Sequence, residues 1–127
     1  MRPETENWIT LAQTDYDDSL YLFNSARHPN AVYLMCQAIE KVLKAALTEL
    51  VEQRPPKTHH LVNLAIQSGL AFTSEQMEAL KQLRRHYDRV RYRDIAQTSY
   101  NTKAKVSPII DAGQNLYQWI YTQLPQH

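Results

Sequence analysis

The chain has 127 residues, 43% of them hydrophobic and 21% charged, with a formal net charge of +1; this is ordinary for a soluble globular protein and fits one domain, residues 1–127. Two glycines, against a usual share of about 7%, leave few tight turns and argue against a many-stranded sheet, so an all-α fold is expected. The single cysteine, Cys36, excludes an intrachain disulfide and a cysteine-built zinc site, and no stretch reaches the roughly 18 uninterrupted apolar residues of a membrane span.

In chain order, Pro3 followed by Glu4 and Glu6 suits a helix start, where proline loses no hydrogen bond and acids favour the dipole. Trp8, Leu11, Ala12, Tyr16, Ser19 or Leu20, Leu22 or Phe23 and Ala26 then recur at steps of three and four, which predicts one amphipathic helix. Arg27-His28-Pro29-Asn30 reads as its break, with Asn30 as N-cap of the next helix. That helix, Asn30 to Glu52, is the centre of the chain. Fourteen of the twenty-one positions from Ala31 to Val51 are Ala, Val, Leu, Ile, Met or Cys, so it should be buried around most of its circumference. Its polar residues share one narrow face: Tyr33, Gln37, Glu40 or Lys41, Lys44 and Thr48. A lysine in such a seam must snorkel, pair with a carboxylate or hold an anion, and pairing with the acidic first helix is the plain reading.

Pro55-Pro56 ends the central helix. Thr58 is expected to cap a short helix from His59 to Ser68, with Gly69 after its C-terminus. Thr73 to Gln76 matches a capping box and opens a helix whose apolar line is Met77, Leu80, Leu83 or Arg84, Tyr87 and Val90 or Arg91. Arg93 to Thr102 shows no period and reads as a polar loop. A last helix starts near Lys103 to Ser107, carries Val106, Ile110, Gly113 and Ile120, and stops at Pro125. The expected fold is an up-and-down helical bundle of four long helices plus one short one.

Charge is unevenly distributed. Residues 1–24 hold five acids against Arg2, whereas residues 81–93 hold Lys81, Arg84, Arg85, Arg89, Arg91 and Arg93 against Asp88 alone. The basic stretch could meet an anion or nucleic acid, or an acidic helix of the same fold or of a partner. Arg84, Asp88 and Arg91 fall on one face, so some of this charge should be neutralised locally. Asp15, Asp17 and Asp18 read as exposed acids rather than a metal cluster, and no metal spacing or glycine-rich phosphate loop occurs. Trp8, Tyr16, Phe23, Trp119 and Tyr121 read as core or interface fillers, and Cys36 as a small buried hydrophobe.

Four segments, in order, resemble the small HEPN domains (higher eukaryote and prokaryote nucleotide-binding). They are Trp8…Ala12…Asp15, the run Gln37-Ala38-Ile39-Glu40-Lys41-Val42-Leu43-Lys44-Ala45, Thr58-His59-His60-Leu61 for the family's Thr-His-Asp-Leu, and Tyr87-x-x-x-Arg91-Tyr92 for its Tyr-x-x-x-Arg-Tyr-Pro. The resemblance implies a helical bundle, usually a homodimer, often encoded beside a small nucleotidyltransferase in toxin–antitoxin or similar pairs. Many members are ribonucleases using Arg-x(4–6)-His on the late basic helix, arginine holding the scissile phosphate and histidine moving a proton. This chain departs from that motif: with Arg85 at the arginine, Val90 stands at the histidine, and valine transfers no proton. His60 replaces the aspartate and Arg93 the proline.

The leading expectation is therefore a cytoplasmic, dimeric, HEPN-type accessory or binding protein without ribonuclease activity, cofactor or metal. It would act with a nucleotidyltransferase or bind nucleotide or RNA phosphates through Arg84, Arg85, Tyr87, Arg91 and Tyr92, with Lys44 contributing. One alternative is a metal-independent ribonuclease, the toxin of a toxin–antitoxin pair, drawing on Arg85 and on His59, His60 or His86. The other is a purely structural dimerisation module whose basic helix packs on an acidic partner.

Overall fold

The computed structural model describes residues 1–125, which form helices and connecting segments with no strand among them. Four long helices, α1 (Pro3–Asn24), α2 (His28–Ala46), α4 (Ser74–Arg89) and α6 (Lys103–Thr122), make the bundle, with two short ones, α3 (Leu61–Ser68) and α5 (Arg93–Ser99). A π-helical turn, Leu47–Val51, continues α2.

As the apolar pattern predicts, α2 is the hub. It packs most extensively on α1, then on α6, and also touches α3 and α4. Ala31, Val32, Met35, Cys36, Ala38, Ile39, Val42, Leu43, Ala45 and Ala46 are all sealed from solvent, and each of the larger ones stabilises the fold by about 1.5–3 kcal/mol through burial. The Cys36 thiol is pushed well up, first by burial and then by the charges of Glu40 and Asp88, so it stays an inert, protonated hydrophobe. Tyr16 of α1 stacks on Tyr117 of α6, ring centroids 4.3 Å apart, and Phe72 packs on Trp119 at 4.9 Å. Tyr16 lies in the core and Trp119 packs against it, as expected of both.

Several local signals act as read. Thr73 and Gln76 form the full capping box at the start of α4, and Gly69 ends α3 in the left-handed region, φ 71°. Other details differ. The chain breaks earlier than Pro29: Ala26 takes the left-handed conformation, φ 61°, and α2 starts at His28 with Arg27 as cap, so Asn30 lies inside the helix. Proline in the first turn costs no hydrogen bond, so Pro29 opens the helix instead of separating two. His60, not Thr58, caps α3, its Nδ1 accepting from the Asn63 amide at 3.2 Å, while Thr58 Oγ1 accepts from the His60 amide. The segment read as a polar loop contains α5, whose Ile95 and Ala96 are half-buried; seven residues are too few to display a period. At its end Tyr100 is sealed in the core, with its hydroxyl 2.8 Å from His86 Nδ1.

Candidate functional site

The seam on α2 resolves into two separate pairings. Lys41 reaches Asp15 of α1 at 2.5 Å, the link to the acidic first helix that the charge pattern suggested. Lys44 turns inward and pairs with Glu40, one helical turn earlier, at 3.0 Å; only 9% of its side chain is exposed.

Glu40 is the centre of the site. Its Oε2 accepts from Lys44, while Oε1 accepts the Tyr87 hydroxyl at 2.9 Å and lies 2.7 Å from His59 Nδ1. Burial works to raise the carboxyl's pKa, but the hydrogen bonds from His59, Lys44 and Tyr87 outweigh it and hold the group below the usual carboxylate range. An ionised carboxylate only accepts, so His59 Nδ1 must be the donor. The His59 side chain is 70% exposed, so the ring is fixed at one nitrogen and open at the other. Tyr87 is buried, its hydroxyl pushed up by burial and then by the Glu40 charge, and it stays a neutral donor. Around it, the Tyr33 ring lies 5.6 Å away edge-on, His59 lies 6.2 Å away, and the Arg91 guanidinium sits 5.8 Å from the ring centre. Three stretches far apart in sequence thus meet on one carboxylate: α2, the approach to α3, and the end of α4.

The basic face of α4 lies beside this cluster. Asp88 is shared by Arg84 at 3.9 Å and Arg91 at 3.3 Å, the local neutralisation that their spacing implied. Among the described residues Lys81, Arg85, Arg89 and Arg93 have no ion pair, and Arg85 and Arg89 are exposed. Lys81, Arg84 and Arg85 border a groove of about 300 Å³ with His60, Val62 and Glu78. Val90, at the position of the motif histidine, is 6% exposed and belongs to the core. His86 is half-buried; burial, then the charges of Arg89 and Arg85, hold its pKa below that of a free imidazole. Tyr92 caps α5 without a side-chain hydrogen bond, 64% exposed.

Of the residues singled out from sequence, the fold gathers Lys44, His59 and Tyr87 on Glu40, with Arg91 against the Tyr87 ring. Arg84 and Arg85 face the neighbouring groove, while His60 and His86 are engaged in a cap and with Tyr100. Tyr87 supports the cluster from below instead of facing solvent, and Lys44 does not reach the α4 surface: its Nζ lies 5.4 Å from the centre of the Trp8 ring. Glu40 itself reads from sequence only as part of the seam. The signal that could have found it is that each of three signature segments, Glu40-Lys41-x-x-Lys44, Thr58-His59 and Tyr87-x-x-x-Arg91, contributes a residue to this one cluster. Among the described residues no three His, Cys, Asp or Glu side chains are grouped to hold a metal ion, and no helix is long and apolar enough to cross a membrane.

The fold is an all-helical bundle with a buried, hydrogen-bonded carboxylate beside a cationic helix. Its family follows from comparison: the family model of the HEPN domain matches residues 5–124, and the chain belongs to that family. The fold is that of TT1696 from Thermus thermophilus, at 19% identity and a TM-score of 0.82 over 97% of this chain and 100% of the other. It is also that of ST0689, an archaeal HEPN homologue, at 21% identity and a TM-score of 0.73 over 97% and 98%. No curated protein matches the chain significantly.

Proposed function

We propose that the protein is a HEPN-type accessory or binding module that takes RNA or nucleotide phosphates on the basic face of α4. We further propose that it does so as a homodimer acting with a nucleotidyltransferase, the company that the family resemblance implies. The observation that carries the reading is the excess of cations on that face. One shared acid, Asp88, serves Arg84 and Arg91, while Lys81, Arg85 and Arg89 on the helix, and Arg93 at the start of α5, are left for an outside anion. Guanidinium groups at such spacing suit phosphate, which they can grip with paired donors. Val90 in the place of the motif histidine supports binding over cleavage, since the helix then offers phosphate contacts without a proton carrier at that position.

Gel-shift and fluorescence titrations with single-stranded RNA and with ATP test this. Binding should be lost or sharply weakened in Arg85→Ala/Arg91→Ala; a complex that survives this double change would remove α4 as the binding face.

A second reading, metal-independent ribonuclease, is favoured by one specific feature. Glu40 orients His59 through Nδ1, the arrangement by which a carboxylate fixes a general base, and Arg91 lies across the same Tyr87 ring to hold a phosphate oxygen. Cleavage of RNA by the purified protein that disappears in His59→Ala would establish it in place of the first.

A further inference from the structure

The N-terminal end of α1, the π-helical turn and the double-proline segment together enclose a cavity of about 560 Å³, away from the α4 groove. This is within the roughly 300–1,000 Å³ of small-molecule sites. Trp8, Pro55 and Pro56 give it apolar walls; Lys44, Arg54 and Lys57 bring positive charge to it.

Three independent features mark this place. The first is Lys44. An ammonium has three N–H donors, and among the described residues the only hydrogen bond that Lys44 Nζ donates is to Glu40, so two donors on a nearly buried cation remain unspent beside the Trp8 ring. The second is the surplus of charge. Arg2 is tied to Glu52, whereas Arg54 and Lys57 have no ion pair among the described residues and are opposed only by Glu4. The third is the backbone. The turn Leu47–Val51 is π-helical, a rare form that occurs mostly as single turns within helices and frequently at functional sites. It ends at Glu52 in the left-handed region, φ 57° and ψ 35°, where a residue with a Cβ is strained. Glu52 lines the cavity.

We infer that this cavity is a binding site for a small aromatic anion, its ring against Trp8 and the proline edge and its charged group on Lys44, Arg54 and Lys57. A flat ring suits an indole face that already has a cation above it, and the unspent Lys44 donors and the two free cations require an acceptor-rich group. A nucleoside monophosphate and an aromatic carboxylate share that chemistry. The site is independent of the α4 surface.

Trp8 supplies the readout. In a Trp119→Phe background Trp8 is the only tryptophan, and its emission can be followed while adenosine monophosphate, benzoate, adenosine and inorganic phosphate are titrated separately. Saturable quenching by adenosine monophosphate assigns the site to nucleotides, and by benzoate to aromatic carboxylates. Arg54→Ala/Lys57→Ala, two exposed side chains whose loss leaves the core intact, should weaken that binding by about tenfold or more. Arg85→Ala/Arg91→Ala should leave it unchanged, which separates this result from the fate of the α4 reading. The inference is overturned if neither ring-bearing anion quenches Trp8 in the millimolar range, if phosphate or adenosine alone binds as tightly, or if the Arg54/Lys57 change has no effect.

Discussion

Changing Glu40 to glutamine keeps the side chain's shape and removes the charge on which Lys44, His59 and Tyr87 converge. Both members of the Glu40–Lys44 pair are nearly sealed from solvent. Leaving a buried partner uncompensated costs about 3–5 kcal/mol. The amide's NH₂ also cannot accept the bonds that the carboxylate accepted, so either Lys44 or Tyr87 loses its acceptor. Against a total stability of about 5–15 kcal/mol, such a loss is large but measurable by urea denaturation. The expected cost of Glu40→Gln is about 3 kcal/mol, and adding Lys44→Met should recover part of it, a coupling of about 0.5–3 kcal/mol, because the stranded ammonium is gone. The pH dependence has a fixed sign. The Glu40 pKa is lowered by folding, so its contribution is fully present above the unfolded carboxyl value of about 4.3 and is lost as pH falls through the lower folded value. Wild type should therefore lose stability on acidification in that window more steeply than Glu40→Gln. A glutamine variant within about 0.5 kcal/mol of wild type, the range usual for surface changes, or one with the same acid slope would refute the buried-hub account.

Two further outcomes follow from the same geometry. A Cβ at Gly113 of α6 would run into Met35 Cγ and lie 2.9 Å from its Sδ; Gly113→Ala should destabilise by about 1–2 kcal/mol despite better helix propensity, yet be neutral or favourable in a Met35→Ala background, and thermal melts of the four proteins decide it. His59→Ala should leave RNA and nucleotide binding by α4 within about twofold of wild type, since its exposed ring makes one hydrogen bond, to Glu40; a larger loss, measured by titration, would move the binding site onto the Glu40 cluster.

The long helices can be read directly because their apolar residues repeat over many turns: α2 is visible as the hub from Ala31 to Val51, and α4 from Thr73 onward. Features carried by one or two residues are not legible in this way. Pro29 could equally end one helix or begin the next, and the backbone decides this at Ala26, a residue without a breaker's side chain. The α5 segment is too short and too polar for its single apolar anchor, Ile95, to register, and Tyr100 sits among polar neighbours in sequence although its ring is sealed in the core.

In the candidate site, the ion pairs made along α4 are legible because i, i+3 and i+4 spacing is local. The bonds from His59 and Tyr87 to Glu40 span 19 and 47 residues, and no periodicity encodes a contact of that range. Composition also cannot say which of Lys41 and Lys44 meets the Asp15 carboxylate. They lie only about 60° apart around the helix, yet one meets Asp15 and the other Glu40 and the Trp8 ring, and only the packed bundle distinguishes them.

The most direct test of the α4 reading is the salt dependence of single-stranded RNA binding. If four cations of this surface, Arg85 and Arg91 among them, contact phosphates, log K should fall against log salt with a slope of about −2.8, or roughly 50-fold in affinity between 50 and 200 mM. In Arg85→Ala/Arg91→Ala the slope should drop to about −1.4. RNA binding that ignores salt, or a slope that the double variant leaves unchanged, would contradict the claim that this face carries the function.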